Sequence, residues 1–438
     1  MNLLDELAWR GFVAHSTDPE ALGQHFAAGS VRFYVGFDPT APSLHFGNLV
    51  QLMLARRLQA AGHRPILLVG GSTGMIGDPK LTSERVMNPV EVVHEWAERI
   101  RVQVEQFVDF DGPAAATIAN NYDWTAPLGT LDFLRDIGKH FPVNRMLDRE
   151  VVKSRLESGI SYTEFSYVLL QSLDYLELFR RYGCTLQTGG SDQWGNLTAG
   201  VELIRRVEGA RVHALATPLL TKADGTKFGK TESGTVWLDP ALTSPFAFYQ
   251  SFFNAEDSQV GTYLNIFCER ERDEIEALIN MASERPHLRE AQKALAGDIT
   301  ELVHGAAARQ AVEQASEAVF GRGDLRLVDE ATLAQAAAEL HGVEVGPDSA
   351  VGGEGDLGGD GDRGSGGDQL PLVMDALTAS GVVASRSEAR RAIQEGGAYV
   401  NNVKVSAVDA RLTETDRLAG GWVIVRRGKK TVGAVKLG

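Results

Sequence analysis

Residues 31–71 read "VRFYVGFDPTAPSLHFGNLVQLMLARRLQAAGHRPILLVGG", and the changes of pattern along this stretch decide the fold. "VRFYVGF" is β-branched and aromatic, which predicts a strand. "DPTAPSLHFGN" brings an aspartate, prolines and a glycine, which predicts a loop. "LVQLMLARRLQAAGH" carries apolar residues at helical spacing and predicts a helix that Gly62 ends. "PILLVGG" then supplies a second buried strand and completes a βαβ unit with a right-handed crossover. The pattern returns in "CTLQTG" (184–189), "GSDQWGN" and "LTAGVELIRRV". The expected fold is α/β, a Rossmann-like doubly wound parallel sheet. Ligands of such sheets bind beyond the carboxyl ends of the strands, so the two loops should face one crevice.

Composition narrows the rest. A length of 438 residues suggests two to four domains, and 43% hydrophobic with 23% charged residues suits a globular chain with a large core. The first twenty residues lack the pattern of a secretion signal, and no apolar run approaches the ~20 residues of a membrane span. A cytoplasmic protein with no membrane contact is expected. Cys184 and Cys268 lie too far apart for a disulfide framework or zinc ribbon, and buried thiols in a reducing compartment are expected.

The net charge of −15 is unevenly spread: from Leu370 onward eleven Lys/Arg face six Asp/Glu, a net of +5 that leaves −20 for the remainder. Residues 343–369 hold ten glycines and seven acids, too little apolar surface to offset ordering, which predicts a flexible linker. The expected domains are an α/β domain over 1–225, a helical domain over 226–342, the linker over 343–369 and a basic module over 370–438. A mostly helical insertion at about 120–160 serves either as a subunit interface or as an ordinary helical cap.

Several segments bear on chemistry. Thr40 and His45 precede a helix N-terminus, where free N–H groups and the dipole favour an anion such as a triphosphate. By itself His45 reads as a hydrogen-bonded loop histidine before a catalytic one. "TKADGTKFGKT" (221–231) looks like a phosphate-binding loop, but Gly225 and Gly229 enclose three residues rather than four and no first strand precedes it. "GGSTGMIG" (70–77) is wrongly spaced for a dinucleotide site. Tyr167, Gln171 and Asp174 stand at i, i+4 and i+7 of a predicted helix, either as a solvated stripe or as polar groups converging on a ligand. "GGSDQWGN" reads as a turn capping a helix, which explains its glycines but not its tryptophan and glutamine. In the tail, two short helices and a strand carry Arg386, Arg390 and Arg391, and "RRGKK" (426–430) adds a second basic cluster. Such a helix is either a solvated face or an RNA contact, and the double cluster favours RNA.

"HFGN" (45–48) resembles His-Ile-Gly-His, the first signature of class I aminoacyl-tRNA synthetases, and "KFGKT" (227–231) resembles the second, Lys-Met-Ser-Lys-Ser. With "YVGFDPTAPSLHFGN", "GDP" (77–79), "TEFSYVLLQSLDY", "QTGGSDQWGN" and "KADGTKFGKT" in order, residues 30 to 250 and the tail resemble the bacterial tyrosyl-tRNA synthetases. The resemblance implies an enzyme that activates L-tyrosine with ATP and transfers it to tRNA. It implies that Tyr34 and Asp174 hold the phenol oxygen, while Asp78, Tyr167 and Gln171 hold the ammonium. It assigns Gly36, Asp38, Asp192 and Gln193 to ATP and the reacting centre, with Thr40, His45, Lys227 and Lys230 around the β- and γ-phosphates. Magnesium would arrive on ATP without a protein cage of its own. A homodimer and a ribosomal S-four-like tail that contacts tRNA are also implied.

Departures exist. Asn48 replaces the second signature histidine and donates a hydrogen bond without carrying charge. Lys80 sits earlier than the family pattern has it, and neither it nor Arg85 receives a role. The rivals are a tryptophanyl-tRNA synthetase, against which the pair Tyr34 and Asp174 speaks, and a non-catalytic RNA-binding relative, against which Lys227, Lys230, His45 and Asp192 speak.

Overall fold

The computed structural model describes residues 2–79, 87–221, 230–231, 234–346, 370–429 and 431–438. It contains two compact units, Met1–Leu242 with Ala255–Ala291, and Thr243–Asn254 with Gln292–Gly438.

The first unit is built on a six-stranded sheet. Its strands are β1 (His15–Ser16), β2 (Arg32–Phe37), β3 (Arg64–Val69), β4 (Thr117–Asn120), β5 (Leu186–Gly190) and β6 (His213–Thr217), in the order β1-β6-β5-β2-β3-β4. All neighbours run parallel except the short edge pair β1–β6. Val35 of β2 is in register with Leu67 of β3 on one side and Thr188 of β5 on the other. The order of strands reverses between β2 and β5, and that switch point leaves a crevice at their carboxyl ends. Helix α1 (Phe46–Ala60) follows β2, and it buries Leu49, Leu52, Met53 and Leu58. Helix α2 (Tyr162–Tyr182) precedes β5, with the Ser161 side chain accepting from the Glu164 N–H at its start. Helix α3 (Trp194–Glu208) leads to β6.

The insertion differs from a long helical reading. Strand β4, "TIAN", lies at the start of that stretch and pairs with β3 through Ile66 and Thr117. Four residues are too few to show a period, and the letters around them are helical. After it come short helical turns, among them Tyr122–Thr125, Val143–Leu147 and Glu150–Lys153. The insertion is tied to α2 by the buried ion pair of Arg155 and Glu164, 3.2 Å apart.

The expected domain boundaries differ from the compact units. Residues 255–291 belong with the sheet: Phe267 packs on Phe46 with ring centroids 4.8 Å apart, and the Arg10 guanidinium donates to the carbonyls of Cys268 and Arg270. In the second unit, the helices Glu290–His304, Ala306–Val319 and Glu330–Glu339 form one body with the tail. Val343–Val345, placed at the start of the expected linker, is a strand that pairs in parallel with Thr431–Leu437. Valines alternating about a single acid could be read as a strand only once a partner edge was known. The remainder of that linker, 347–369, lies outside the described residues. The tail has the two expected helices, Val373–Ala379 and Arg386–Gln394, over a sheet that includes the hairpin Trp422–Arg427 and Thr431–Leu437. No helix among the described residues is long and apolar enough to cross a membrane.

Candidate active site

A cleft of about 500 Å³ opens at the carboxyl ends of β2 and β5. Tyr34, Gly36, Asp38, Thr40, His45, Asn48, Asp78, Tyr167, Gln171, Asp174, Asp192 and Gln193 all line it. Every residue that the sequence assigned to tyrosine or ATP and whose side chain is described is therefore brought to one place. Lys227, Lys80 and Arg85 lie outside the described residues, and Lys230 is described only as backbone, in a short strand with Thr231 that pairs with Gly234–Thr235.

The floor of the cleft is Tyr34 with Asp174. The Tyr34 hydroxyl is buried and has no hydrogen-bond partner among the described residues. Asp174, 2% exposed, accepts the Trp124 indole N–H at 2.9 Å and the Asn121 amide at 3.0 Å. Burial pushes its carboxyl up to about 7, against the pull of those two donors. Burial and the Asp174 charge likewise raise the Tyr34 phenol well above its ordinary range, so it stays protonated. An uncommitted hydroxyl beside a buried carboxyl can bind one small polar group, and the hydroxyl is left unpaired when an apolar group takes that place.

A second carboxylate, Asp38, follows β2. Its two oxygens accept the Thr73 hydroxyl at 2.6 Å and the Tyr167 hydroxyl at 2.7 Å. Asn121 donates to Thr73 Oγ1 at 2.9 Å as well as to Asp174, so one fully buried amide links the two acids. Gly70 makes the arrangement possible, because a Cβ there would lie 2.1 Å from Asp38 Oδ1 and 2.5 Å from Thr73 Oγ1.

Asp78 is held from the β5–α3 loop. Gln193 donates to its Oδ2 at 2.8 Å and Asn196 donates to its Oδ1 at 3.1 Å. Gln193, assigned to ATP from the sequence, thus has its amide on Asp78.

The rim is the start of α1. His45 is its N-cap, with Nδ1 accepting the Gly47 N–H at 3.0 Å, and Asn48 Oδ1 accepts the His45 N–H at 3.0 Å. This reciprocal cap makes Asn48 a brace for the loop. With Nδ1 an acceptor, the neutral ring carries its proton on Nε2, a donor suited to phosphate oxygens. The imidazole folds back over Gly47, where a Cβ would sit 2.8 Å from His45 Cε1.

Asn121, Trp124, Thr73, Asn196 and Arg149 were not singled out from the sequence. Of these, Asn196 lies in "GGSDQWGN" and Thr73 in "GGSTGMIG", both quoted above. Asn121, Trp124 and Arg149 come from elements with no pattern of their own and reach Asp174 and Asn196 only through folding.

In the tail, Arg390 and Arg391 are exposed, while Arg386 donates to Asp375 at 2.5 Å. The second basic cluster is only partly on the surface: Arg426 is buried at 8% exposure, over the Tyr399 ring, and Arg427 pairs with Glu388. Lys430 lies outside the described residues.

Comparison with known proteins agrees along the whole chain. Residues 27–321 match the family described as tRNA synthetases class I (W and Y), and residues 367–434 match the tyrosine–tRNA ligase SYY-like C-terminal domain. The tyrosine–tRNA ligase of Cutibacterium acnes is 60% identical over 99% of both chains, and that of Streptomyces avermitilis is 56% identical over 100% of this chain and 99% of its own. A solved, C-terminally truncated mitochondrial tyrosyl-tRNA synthetase of Aspergillus nidulans superposes with a TM-score of 0.66, at 30% identity, over 72% of this chain and 93% of its own. A tryptophanyl-tRNA synthetase of Plasmodium falciparum, 15% identical with a TM-score of 0.53, covers 70% of this chain and 86% of its own and shares the fold.

Proposed function

We infer the roles of individual residues from one premise: this chain belongs to the tyrosine–tRNA ligase family of class I tRNA synthetases. Its activity is the attachment of tyrosine to tRNA. The single observation that carries the residue assignments is the buried Tyr34 hydroxyl, without a partner among the described residues, at the floor of the cleft that Asp174 also lines.

Tyrosine enters with its phenol against Tyr34 and Asp174. Its ammonium lies among Asp78, Tyr167 and Gln171, where the Tyr167 oxygen still accepts although its proton is given to Asp38. The Gln171 Oε1, buried and without a partner among the described residues, supplies a further acceptor. ATP lies along Gly36, Asp38 and Asp192, with Gln193 at the boundary of the two ligands and the triphosphate at Thr40 and His45. The donors there are a hydroxyl and an imidazole N–H, which suit phosphate oxygens and not a metal ion. Magnesium is therefore taken up as the ATP complex, held by the triphosphate itself.

The tyrosine carboxylate attacks the α-phosphorus in line and pyrophosphate departs. Negative charge grows on oxygens that His45, Thr40, Lys227 and Lys230 stabilise, the lysines being assigned from their signature alone. No protein nucleophile is needed, since holding the reactants in line supplies much of the rate. The tyrosyl group then passes from the adenylate to the terminal ribose of tRNA.

Two assembly features complete the proposal. Leu131, Val143 and Tyr162 in and beside the insertion are 81%, 62% and 68% exposed, large apolar side chains that suit burial against a second copy of the chain. Arg390 and Arg391 supply phosphate contacts to tRNA, a binding term that weakens with salt. The test is ATP–pyrophosphate exchange with each amino acid in turn. Tyrosine alone should support exchange, and equal exchange with phenylalanine would refute the assignment of Tyr34 and Asp174.

A further inference from the structure

Arg149 does not line the cleft, yet it begins a chain of hydrogen bonds that ends on Asp78. It donates to Asn196 Oδ1. Asn196, 2% exposed, gives its Nδ2 to Asp78 Oδ1 at 3.1 Å and to Gln193 Oε1 at 2.7 Å. Gln193 completes the ring with Nε2 on Asp78 Oδ2 at 2.8 Å.

The two ends of a carboxamide have nearly the same shape and opposite polarity, so a network, not packing, decides which way each one points. Here Arg149, at the end of Asn196 away from Asp78, fixes it together with the carboxylate. A guanidinium has donors only, so the end of Asn196 that meets it must be the oxygen. That turns the Asn196 nitrogen toward Asp78 and Gln193, which in turn occupies the Gln193 oxygen and leaves the Gln193 nitrogen for Asp78. Each carboxylate oxygen thus receives an N–H, and Asp78 is held from one side.

We propose that Arg149 is a positioning residue that sets the polarity of the Asn196–Gln193 amide pair and thereby fixes Asp78 for the tyrosine ammonium. The proposal rests on the reading of Asp78 as an ammonium contact. Without the guanidinium, the buried Asn196 Oδ1 loses its donor, and the amide that holds Asp78 is anchored at one end only. Arg149 is itself fixed. Its carbonyl accepts the N–H groups of Val152 and Lys153, and its Nη2 lies 3.3 Å from the Cβ position of Gly195 at the start of α3. The insertion is thereby wired into amino-acid recognition from behind the cleft.

The experiment compares the unaltered chain with Arg149→Met and Arg149→Lys, using two ligands: tyrosine, and 3-(4-hydroxyphenyl)propionate, which lacks the ammonium. Arg149→Met should weaken tyrosine about tenfold, the size of one charge-assisted contact, and leave the propionate unchanged. Arg149→Lys, which keeps a donor-only group, should restore most of the loss. In exchange kinetics the effect should fall on KM for tyrosine, with KM for ATP unmoved. Equal weakening of both ligands, or unaltered tyrosine binding, would overturn the relay. Equal binding of both ligands by the unaltered chain would instead remove Asp78 as the ammonium contact, and the proposal with it. If Arg149→Met does not fold, Arg149→Gln carries the same comparison, and a loss not selective for tyrosine again overturns the relay.

Discussion

Trp124 donates its indole N–H to Asp174 Oδ1 at 2.9 Å, across fifty positions of sequence, in a setting where the carboxyl is 2% exposed. An acid so placed is not fully charged at neutral pH, which makes stability depend on its proton.

An unfolded aspartate titrates near 4, whereas burial pushes folded Asp174 up to about 7. Between those values the folded chain holds a proton that the unfolded chain has lost. The stabilisation is full below the unfolded pKa, declines as pH rises toward the folded pKa and levels off above it. Asp174→Asn has no such proton, so its stability relative to the unaltered chain should rise by about 3 kcal/mol from about pH 5 to about pH 8. Urea unfolding of both proteins at the two pH values checks this, and parallel pH profiles would contradict it.

Tyr34→Phe separates stability from binding. The hydroxyl has no partner among the described residues, so its removal should leave the melting temperature unchanged or raise it. Tyrosine affinity should fall roughly threefold to tenfold, the value of one neutral hydrogen bond, and phenylalanine should gain relative to tyrosine. Calorimetry and binding titrations measure the two arms.

Asn121→Ala removes a side chain that accepts from the Ser72 N–H at 2.7 Å and donates to both Thr73 and Asp174. The buried partners are left unsatisfied, and the expected loss is about 2–4 kcal/mol of unfolding free energy. A loss below about 0.5 kcal/mol, typical of a surface change, would mean that this link does not hold the two acids together.

Gly70→Ala places a methyl group 2.1 Å from Asp38 Oδ1. Asp38 and Thr73 must move apart, and tyrosine-dependent exchange should fall at least about tenfold while tryptophan fluorescence still reports a folded chain. Normal exchange would show that the Asp38 position is not critical.

Truncation after Gly342 should spare adenylate formation, because the cleft is made wholly by the first unit. It should also destabilise the helices of the second unit, which lose contacts such as Asn402 Nδ2 on the Ala318 carbonyl at 2.7 Å and Arg326 on the Thr415 carbonyl at 3.1 Å. Exchange assays and thermal melts test the two halves, and unchanged melting would contradict the second.

The sequence by itself determined the local pieces: the strand, loop and helix of 31–71, the helix carrying Tyr167, Gln171 and Asp174 on one face, and the signature residues of the rim. These are legible because period, turn chemistry and motif are properties of neighbours in the chain. Whether that helical face met solvent or a cleft stayed open until β2 and β5 were placed side by side. Only the tertiary structure brought Asn121 and Trp124 to Asp174, and Arg149 through Asn196 to Asp78. Hydrogen bonds between residues tens of positions apart leave no periodic trace, and an amide or arginine reads the same in sequence whether it faces water or a buried carboxylate. The same reason hid strand β4 and the pairing of Val343–Val345, since a strand of three or four residues is specified by the edge it joins.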